Sequence, residues 1–149
     1  MPRSRRAGWF TALDPDNLDG LRDALAASGL PVADLVDSGR AFFRFDDDAG
    51  PVGYGGLEGQ GTDRLLRSLL VVADRRGDGL GRVMLGLLEA RACELGVVRL
   101  HLLTNTAAPF FAASGYAAAD RATAPASIAS SREFIALCPV SAAYLVKAL

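Results

Sequence analysis

The chain has 149 residues, half of them apolar and 22% charged, with a formal net charge of −1. That is enough apolar material to close one domain over residues 1–149, and a near-neutral balance gives no electrostatic footprint for nucleic acid. Arg3, Arg5 and Arg6 precede no signal-peptide apolar stretch and no run of 18 apolar residues occurs, so a cytoplasmic protein without a membrane partner is expected. Cys93 and Cys138 stand far apart with no C-x-x-C spacing, which points to half-buried reduced thiols rather than a zinc site or a disulfide scaffold.

In chain order, residues 7–11 read as a strand with Trp9 or Phe10 facing inward. Asp14-Pro15 reads as an N-cap followed by proline at the first helical position. Leu18, Leu21, Leu25 and Ala26 then supply the apolar stripe of a helix that stops near Ser28-Gly29, and Val32, Leu35 and Val36 allow one further helical turn. Residues 40–45 alternate as a strand, and Asp46-Asp47-Asp48-Ala49-Gly50 turns into a second strand over residues 51–58. The three aspartates lack the glycine and later glutamate of a calcium loop and read as a solvated hairpin tip. Gly53, Gly55 and Gly56 are unfavourable in a sheet interior, so they predict a bulge or the close approach of another group. Gly59-Gln60-Gly61 closes another hairpin and residues 63–72 return as a strand, completing an antiparallel meander of four.

Residues 68–96 read as strand, glycine-rich turn and helix. Leu69, Leu70, Val71 and Val72 end a buried strand, and Arg76-Gly77-Asp78-Gly79-Leu80-Gly81 makes the turn. Leu80, Val83, Met84, Leu87, Leu88 and Leu95 recur on one helical stripe, stopped by Gly96. Glycines at 77, 79 and 81 remove Cβ atoms and let successive N–H groups converge where the following helix points its positive end. An anion, a phosphate first of all, belongs there, with Arg75, Arg76 and Arg82 adding charge; a mere tight turn is the alternative. A P-loop would need Lys and Ser or Thr where Arg82 and Val83 stand, and a dinucleotide fingerprint would need its last glycine at 82 rather than 81. Residues 97–104 form a strand parallel to the one before the helix, and residues 106–112 begin a short helix ending at Ser114-Gly115. The order is β-α-β-β-β-α-β-α-β, an α/β domain of mixed strand direction.

Arg76-Gly77-Asp78-Gly79-Leu80-Gly81 matches the R/Q-x-x-G-x-G/A signature at every specified position, and in this setting the chain resembles the GCN5-related N-acetyltransferases (GNAT), whose element order is the same. The resemblance implies a GNAT-like acyl-CoA N-acyltransferase fold: a central mixed, mostly antiparallel sheet with a splayed strand pair, flanked by helices. It implies acetyl-CoA as co-substrate and no metal. The amides from Arg76 through Gly77, Asp78, Gly79, Leu80 and Gly81 to Arg82 would hold the pyrophosphate. The strands over 66–72 and 97–104 would start side by side and part, admitting the pantetheine arm against main-chain groups of Leu70, Val71 and Val72. A backbone N–H near Leu70 would serve as oxyanion donor. Asn105 would contact coenzyme A, or else cap the helix at Thr106.

Acetyl transfer also needs a base for the incoming ammonium and an acid for the departing thiolate. Glu58 is the first candidate base, raised in pKa by burial against Tyr54 and Phe45; an ordinary strand-end glutamate is the alternative. Arg67 is expensive to bury unpaired, so it pairs with Glu58, holds a substrate carboxylate or faces solvent, and Tyr54 joins these two as a substrate contact. Phe111 stands where many family members carry the tyrosine acid, which leaves water, Ser114 or Tyr144. Tyr116 aligns with a packing aromatic, and His101, the only histidine, reads as structural within its strand.

Residues 120–139 carry two helix starts, Thr123-Ala124-Pro125 and the capping box Ser130-Ser131-Arg132-Glu133, before a last strand over 141–147. With Ile128, Phe134 and Leu137 the segment is too apolar for a linker, so it folds as a lid on the substrate pocket or as a homodimer surface. Leu65-Leu66-Arg67-Ser68, Leu102-Leu103-Thr104, Ala107-Ala108-Pro109-Phe110-Phe111 and Phe134-x-x-Leu137-Cys138-Pro139 also resemble the N-acetyltransferases encoded near arsenic-resistance genes. That branch implies acetylation of a small toxic amino acid, an arsenic- or phosphorus-containing glutamate analogue, with Arg67 or Arg132 on its acidic end. Three functions follow: a small-molecule N-acetyltransferase acting on a primary amine, a protein amine acetyltransferase, and a non-catalytic fold that binds coenzyme A or a partner, which Phe111 keeps open.

Overall fold

A computed structural model of the chain describes residues 9–30, 32–33, 35, 39–77, 79–131, 134–135 and 142–149. The strands are β1 (Trp9–Ala12), β2 (Arg40–Asp47), β3 (Gly50–Glu58), β4 (Asp63–Val71), β5 (Arg99–Thr104), β6 (Ala117–Ala118) and β7 (Ala143–Ala148). The α-helices are α1 (Asp19–Ala27), α2 (Leu80–Glu94), α3 (Ala108–Ala113) and α4 (Ala126–Ala129), with 3-10 turns at Ala73–Arg75 and Arg121–Thr123. They build a mixed α/β protein with one sheet in the order β1-β2-β3-β4-β5-β7-β6. β1 to β4 pair in antiparallel order, and the α2 crossover makes β4 and β5 parallel.

Three glycines of β3 answer to close approaches. A Cβ at Gly53 would stand 2.1 Å from the Leu70 carbonyl oxygen, one at Gly56 2.6 Å from the Phe42 ring, and one at Gly55 3.0 Å from Leu88. On one face of the sheet α2 buries Leu80, Met84, Leu85, Leu88 and Ala92 against Phe43, Phe45, Leu57, Leu66 and Leu100. Phe10 stacks on Phe43 at 4.6 Å between centroids. On the other face α1 packs Leu18, Leu21 and Leu25 against Leu35, Phe42 and Leu70. Leu21 and Leu25 are almost fully buried, each worth about 2 kcal/mol of transfer free energy. Farther across that face, Ile128 of α4 packs on Leu65 and Tyr144, with Phe134 beside them.

Several elements differ from the sequence expectation for local reasons. The first helix begins at Asp19 because Asp14 closes a turn instead: its carboxylate accepts the Asp16 N–H at 2.9 Å and its carbonyl the Asn17 N–H at 2.9 Å. Val83, Leu87 and Leu95 are exposed, since α2 is turned toward Leu85 and Ala92. Its apolar residues run around most of the helix, so the sheet, not the spacing, selects the buried side. α3 starts at Ala108 because the Thr104 hydroxyl accepts the Ala107 N–H at 3.0 Å. β6 is only Ala117–Ala118, two alanines that carry no strand signal. Cys93 is exposed rather than half-buried. Residues 7–8, Val36, the capping-box residues Arg132 and Glu133, Leu137, Cys138 and Ser141 lie outside the described residues.

Candidate active site

β4 and β5 are paired at three positions only, Asp63↔Arg99, Arg64↔Leu100 and Leu65↔His101. Beyond these, β4 stays with β3, but Tyr54 lies opposite Leu70 and Gly56 opposite Arg67, so β4 carries one residue more than its partner. That is a bulge, and Ser68 within it takes φ 59°, a left-handed conformation uncommon outside glycine. A bulged strand bends, and this one bends where it leaves β5. Between the parted strands lies a cleft of about 1020 Å³, walled by residues 66–71 and 102–107 and ended by Phe110 and Phe111.

The glycine-rich turn follows β4 directly. Gly77 at φ 95° and Gly79 at φ 74° hold backbone conformations that side chains disfavour, and a Cβ on either would meet open space. Gly79 precedes the first turn of α2, so unpaired helix N–H groups and the positive dipole end face outward there. A cavity of about 460 Å³ lies against Arg76, Gly77, Gly79, Leu80, Gly81 and Arg82. It adjoins the cleft, because Val71, Arg76 and Phe110 line both. Arg76 spans the junction: Nε donates to the Val71 carbonyl at 2.9 Å and its terminal nitrogen to Ser28 Oγ at 3.3 Å. Arg75 lines the cavity at the turn too, as expected, and also serves the neighbouring hairpin. It ion-pairs with Asp47 and donates to the Gly50 and Pro51 carbonyls at 3.3 Å, tying the turn to the β2–β3 hairpin. Leu70, Val71 and Asn105 line the cleft, whereas Val72 continues the β3 pairing through an N–H to the Val52 carbonyl at 2.9 Å. Asp78 lies outside the described residues. Main-chain donors, a helix start and arginines suit a diphosphate, and the adjoining open sheet edge suits an extended arm.

Glu58 is buried and paired with Arg67, one of the expectations for it, but not packed against Tyr54 and Phe45. Register sets it opposite Arg40, while Tyr54 lies opposite Arg44 and Phe45 opposite Gly53. One carboxylate oxygen meets Arg67 at 3.0 Å and the other meets Arg40 at 3.4 Å. Arg67 has a side chain 0% exposed, lies 5.7 Å from the Phe42 ring centre, and donates from Nε to Ser68 Oγ at 3.3 Å. Arg67 lines the cleft and Glu58 does not, so the carboxylate acts on that wall by holding the guanidinium. Tyr54 packs with the α1 cluster instead of beside these two.

The aromatic residues divide by partner. Phe111 is buried, edge-on to Phe110 at 5.1 Å and to Tyr116 at 5.5 Å. The Tyr116 hydroxyl donates to Glu89 at 2.8 Å, and burial first, then Glu89, raises its pKa far above that of an ordinary phenol. Ser114 Oγ donates to the Phe110 carbonyl at 3.1 Å. Sequence reading missed a chain of groups at the fork: Tyr144 Oη lies 2.7 Å from His101 Nδ1, and His101 Nε2 lies 2.8 Å from Asp63 Oδ1. Asp63 in turn accepts from Arg99 at 2.9 and 3.3 Å. The members are far apart in sequence; their one shared signal is that all lie on strands.

A bulged strand parting from its parallel neighbour above a glycine-rich helix start defines an acyl-CoA N-acyltransferase fold. The acetyltransferase (GNAT) domain family matches residues 38–118, more than half of the chain. The chain belongs to that family of acetyltransferases. No curated protein sequence matches it. Among solved structures it is similar to N-acetylglutamate synthase from Neisseria gonorrhoeae, complexed with coenzyme A and L-arginine: 17% identity, TM-score 0.76, 95% of this chain and 33% of that one. The chain thus spans about a third of that synthase's length. It is also similar to Rv2747 from Mycobacterium tuberculosis in complex with CoA, at 17% identity and TM-score 0.75 over 95% of this chain and 99% of that one. Tetrahymena GCN5 aligns at 12% identity and TM-score 0.75 over 94% and 95%. Likenesses this remote carry the fold.

Proposed function

We propose that this chain transfers the acetyl group of acetyl-CoA to the primary amine of a small molecule. The observation that carries the reading is the parting of β4 from β5 after Leu65↔His101, directly before the amide-lined turn at Gly77 and Gly79. Acetyl-CoA, when bound, supplies an activated acetyl group as a thioester. In this reading the turn from Arg76 to Arg82 holds the diphosphate, and the β4 edge at Leu70 and Val71 orients the arm with Asn105 across the cleft. A main-chain N–H near Leu70, at the bulge, is the donor this reading assigns to charge developing on the thioester oxygen. Arg67, on the cleft wall and paired with Glu58, is the group this reading assigns to an acidic end of the acceptor, with a glutamate-like analogue, arsenical or phosphinic, as its candidate substrate. Residues 120–139 are assigned in this reading to a lid on the acceptor side or to a homodimer surface. Among the described residues no helix is long and apolar enough to cross a membrane.

Calorimetry with acetyl-CoA and thiol release with a panel of amines, amino acids and arsenical analogues test this reading. Association at micromolar acetyl-CoA and acceptor-dependent thiol release are expected; no association would sink it. A second reading, a binding fold without catalysis, is favoured by the buried, hydroxyl-free Phe111. It predicts tight acetyl-CoA binding with no acceptor-dependent turnover.

A further inference from the structure

The end of α1 is closed by its own backbone. Gly29 takes φ 70°, its N–H donates to the Ala26 carbonyl at 3.2 Å, and the Leu30 N–H reaches back to the Leu25 carbonyl at 2.9 Å. That closure makes no use of the Ser28 side chain, and the last turn of α1 carries no basic residue of its own. Ser28 Oγ instead accepts from Arg76, which belongs to the turn between β4 and α2. A guanidinium at this place also meets the negative end of the α1 dipole.

Both partners are part of the candidate site. Ser28, Gly29 and Leu30 wall the cleft, and Arg76 lines the cleft and the cavity at the turn alike. Arg67 lines the same cleft, over the Phe42 ring of the cluster that α1 packs into. The bonds from Arg76 to the Val71 carbonyl and to Ser28 occupy Nε and one terminal nitrogen. A guanidinium has further N–H groups to give, and an anion in the turn cavity is the partner they suit.

We propose, resting on the reading of this turn as a diphosphate site, that Arg76 and Ser28 couple the cofactor to the α1 wall of the cleft. A diphosphate on the turn fixes the Arg76 guanidinium through charge-assisted hydrogen bonds. Arg76, once fixed, holds Ser28 Oγ and with it the segment Ser28-Gly29-Leu30. The acceptor then meets a finished wall only when the donor is already in place. Linkage makes the effect mutual, so an acceptor that orders this wall tightens cofactor binding by the same factor. Ser28 acts through Arg76 and is a positioning residue.

Amide hydrogen exchange tests the coupling, because the Gly29 and Leu30 N–H groups make the closing bonds of α1 and report its local opening. CoA at a concentration that saturates each protein by calorimetry is the probe. In the wild type it should slow exchange at Gly29 and Leu30 at least threefold, together with Gly81 and Arg82 at the start of α2. In Ser28→Ala the slowing at Gly81 and Arg82 should persist, and that at Gly29 and Leu30 should disappear. A hydroxyl that only stabilised α1 would change exchange by the same factor with and without CoA. Undiminished slowing in Ser28→Ala, or wild-type slowing confined to Gly81 and Arg82, overturns the coupling and leaves the diphosphate site standing. No association of CoA, with all four amides unchanged, overturns the diphosphate reading and the coupling together.

Discussion

Ser68 and Arg67 are adjacent residues that tie the cleft to two unlike forces, backbone strain and buried charge. Ser68 holds φ 59°, which costs a residue with a side chain about 1–2 kcal/mol relative to the right-handed region. Ser68→Val adds β-branching to that conformation, so it should lower stability to urea by about 1–2 kcal/mol and weaken acetyl-CoA binding as the bulge straightens. Ser68→Gly keeps the bulge, and calorimetry should find its acetyl-CoA affinity within twofold of wild type. Arg67→Met removes one of two guanidiniums from a buried carboxylate, leaving Glu58 to Arg40 alone at 3.4 Å. Removal of one partner of a buried pair costs about 3–5 kcal/mol when nothing compensates. With Arg40 still in place, a loss of about 2–4 kcal/mol is expected in urea unfolding. If the acceptor carries an acidic end, its KM should rise in this variant while the acetyl-CoA affinity stays put.

At the scale of elements, the turn between β4 and α2 depends on backbone that glycine alone adopts without strain. Gly79→Ala meets no steric obstacle, since a Cβ there faces open space, but φ 74° should cost about 1–2 kcal/mol. The α2 start would then shift, and acetyl-CoA should bind at least tenfold more weakly by calorimetry, with the sheet intact by circular dichroism. This turn was legible in the sequence because its information is local: three glycines at fixed spacing between a strand and a helix. The meander and the crossover were legible for the same reason, through Gly-rich hairpins and one long helix. The buried side of α2 was not, because apolar residues nearly encircle it and Ala92 is silent as a core signal. Gly53, Gly55 and Gly56 predict a bulge or a close approach, but nothing in Leu66-Arg67-Ser68-Leu69 announces that the extra, left-handed residue stands on β4. The Glu58–Arg67 pair was one of three expectations for Arg67, but the addition of Arg40 needed the β2–β3 register. Asp63, His101 and Tyr144 converge through three strands that are distant in sequence, so no spacing could join them.

Across the whole molecule, that convergence stitches together the centre of the sheet. Asp63 on β4 accepts from Arg99 and His101 on β5, and His101 reaches Tyr144 on β7. The Arg99 hydrogen bond, foremost, and then the His101 hydrogen bond hold the Asp63 pKa below its ordinary value, against the opposing effect of burial. A carboxyl depressed in the folded state binds its proton more readily when unfolded, so its ionised form stabilises the fold above the unfolded value of about 3.9. That contribution disappears as pH falls through the lower folded value. The wild-type urea midpoint should therefore decline as pH is lowered from about 5 toward 3. Asp63→Asn cannot ionise, so it should start from a lower midpoint near neutrality, decline less steeply, and converge with wild type at the acid end. Parallel acid limbs for the two proteins would show that Asp63 does not link β4 to β5 electrostatically, and the fork would then owe its closure to Leu65 and Leu100 packing alone.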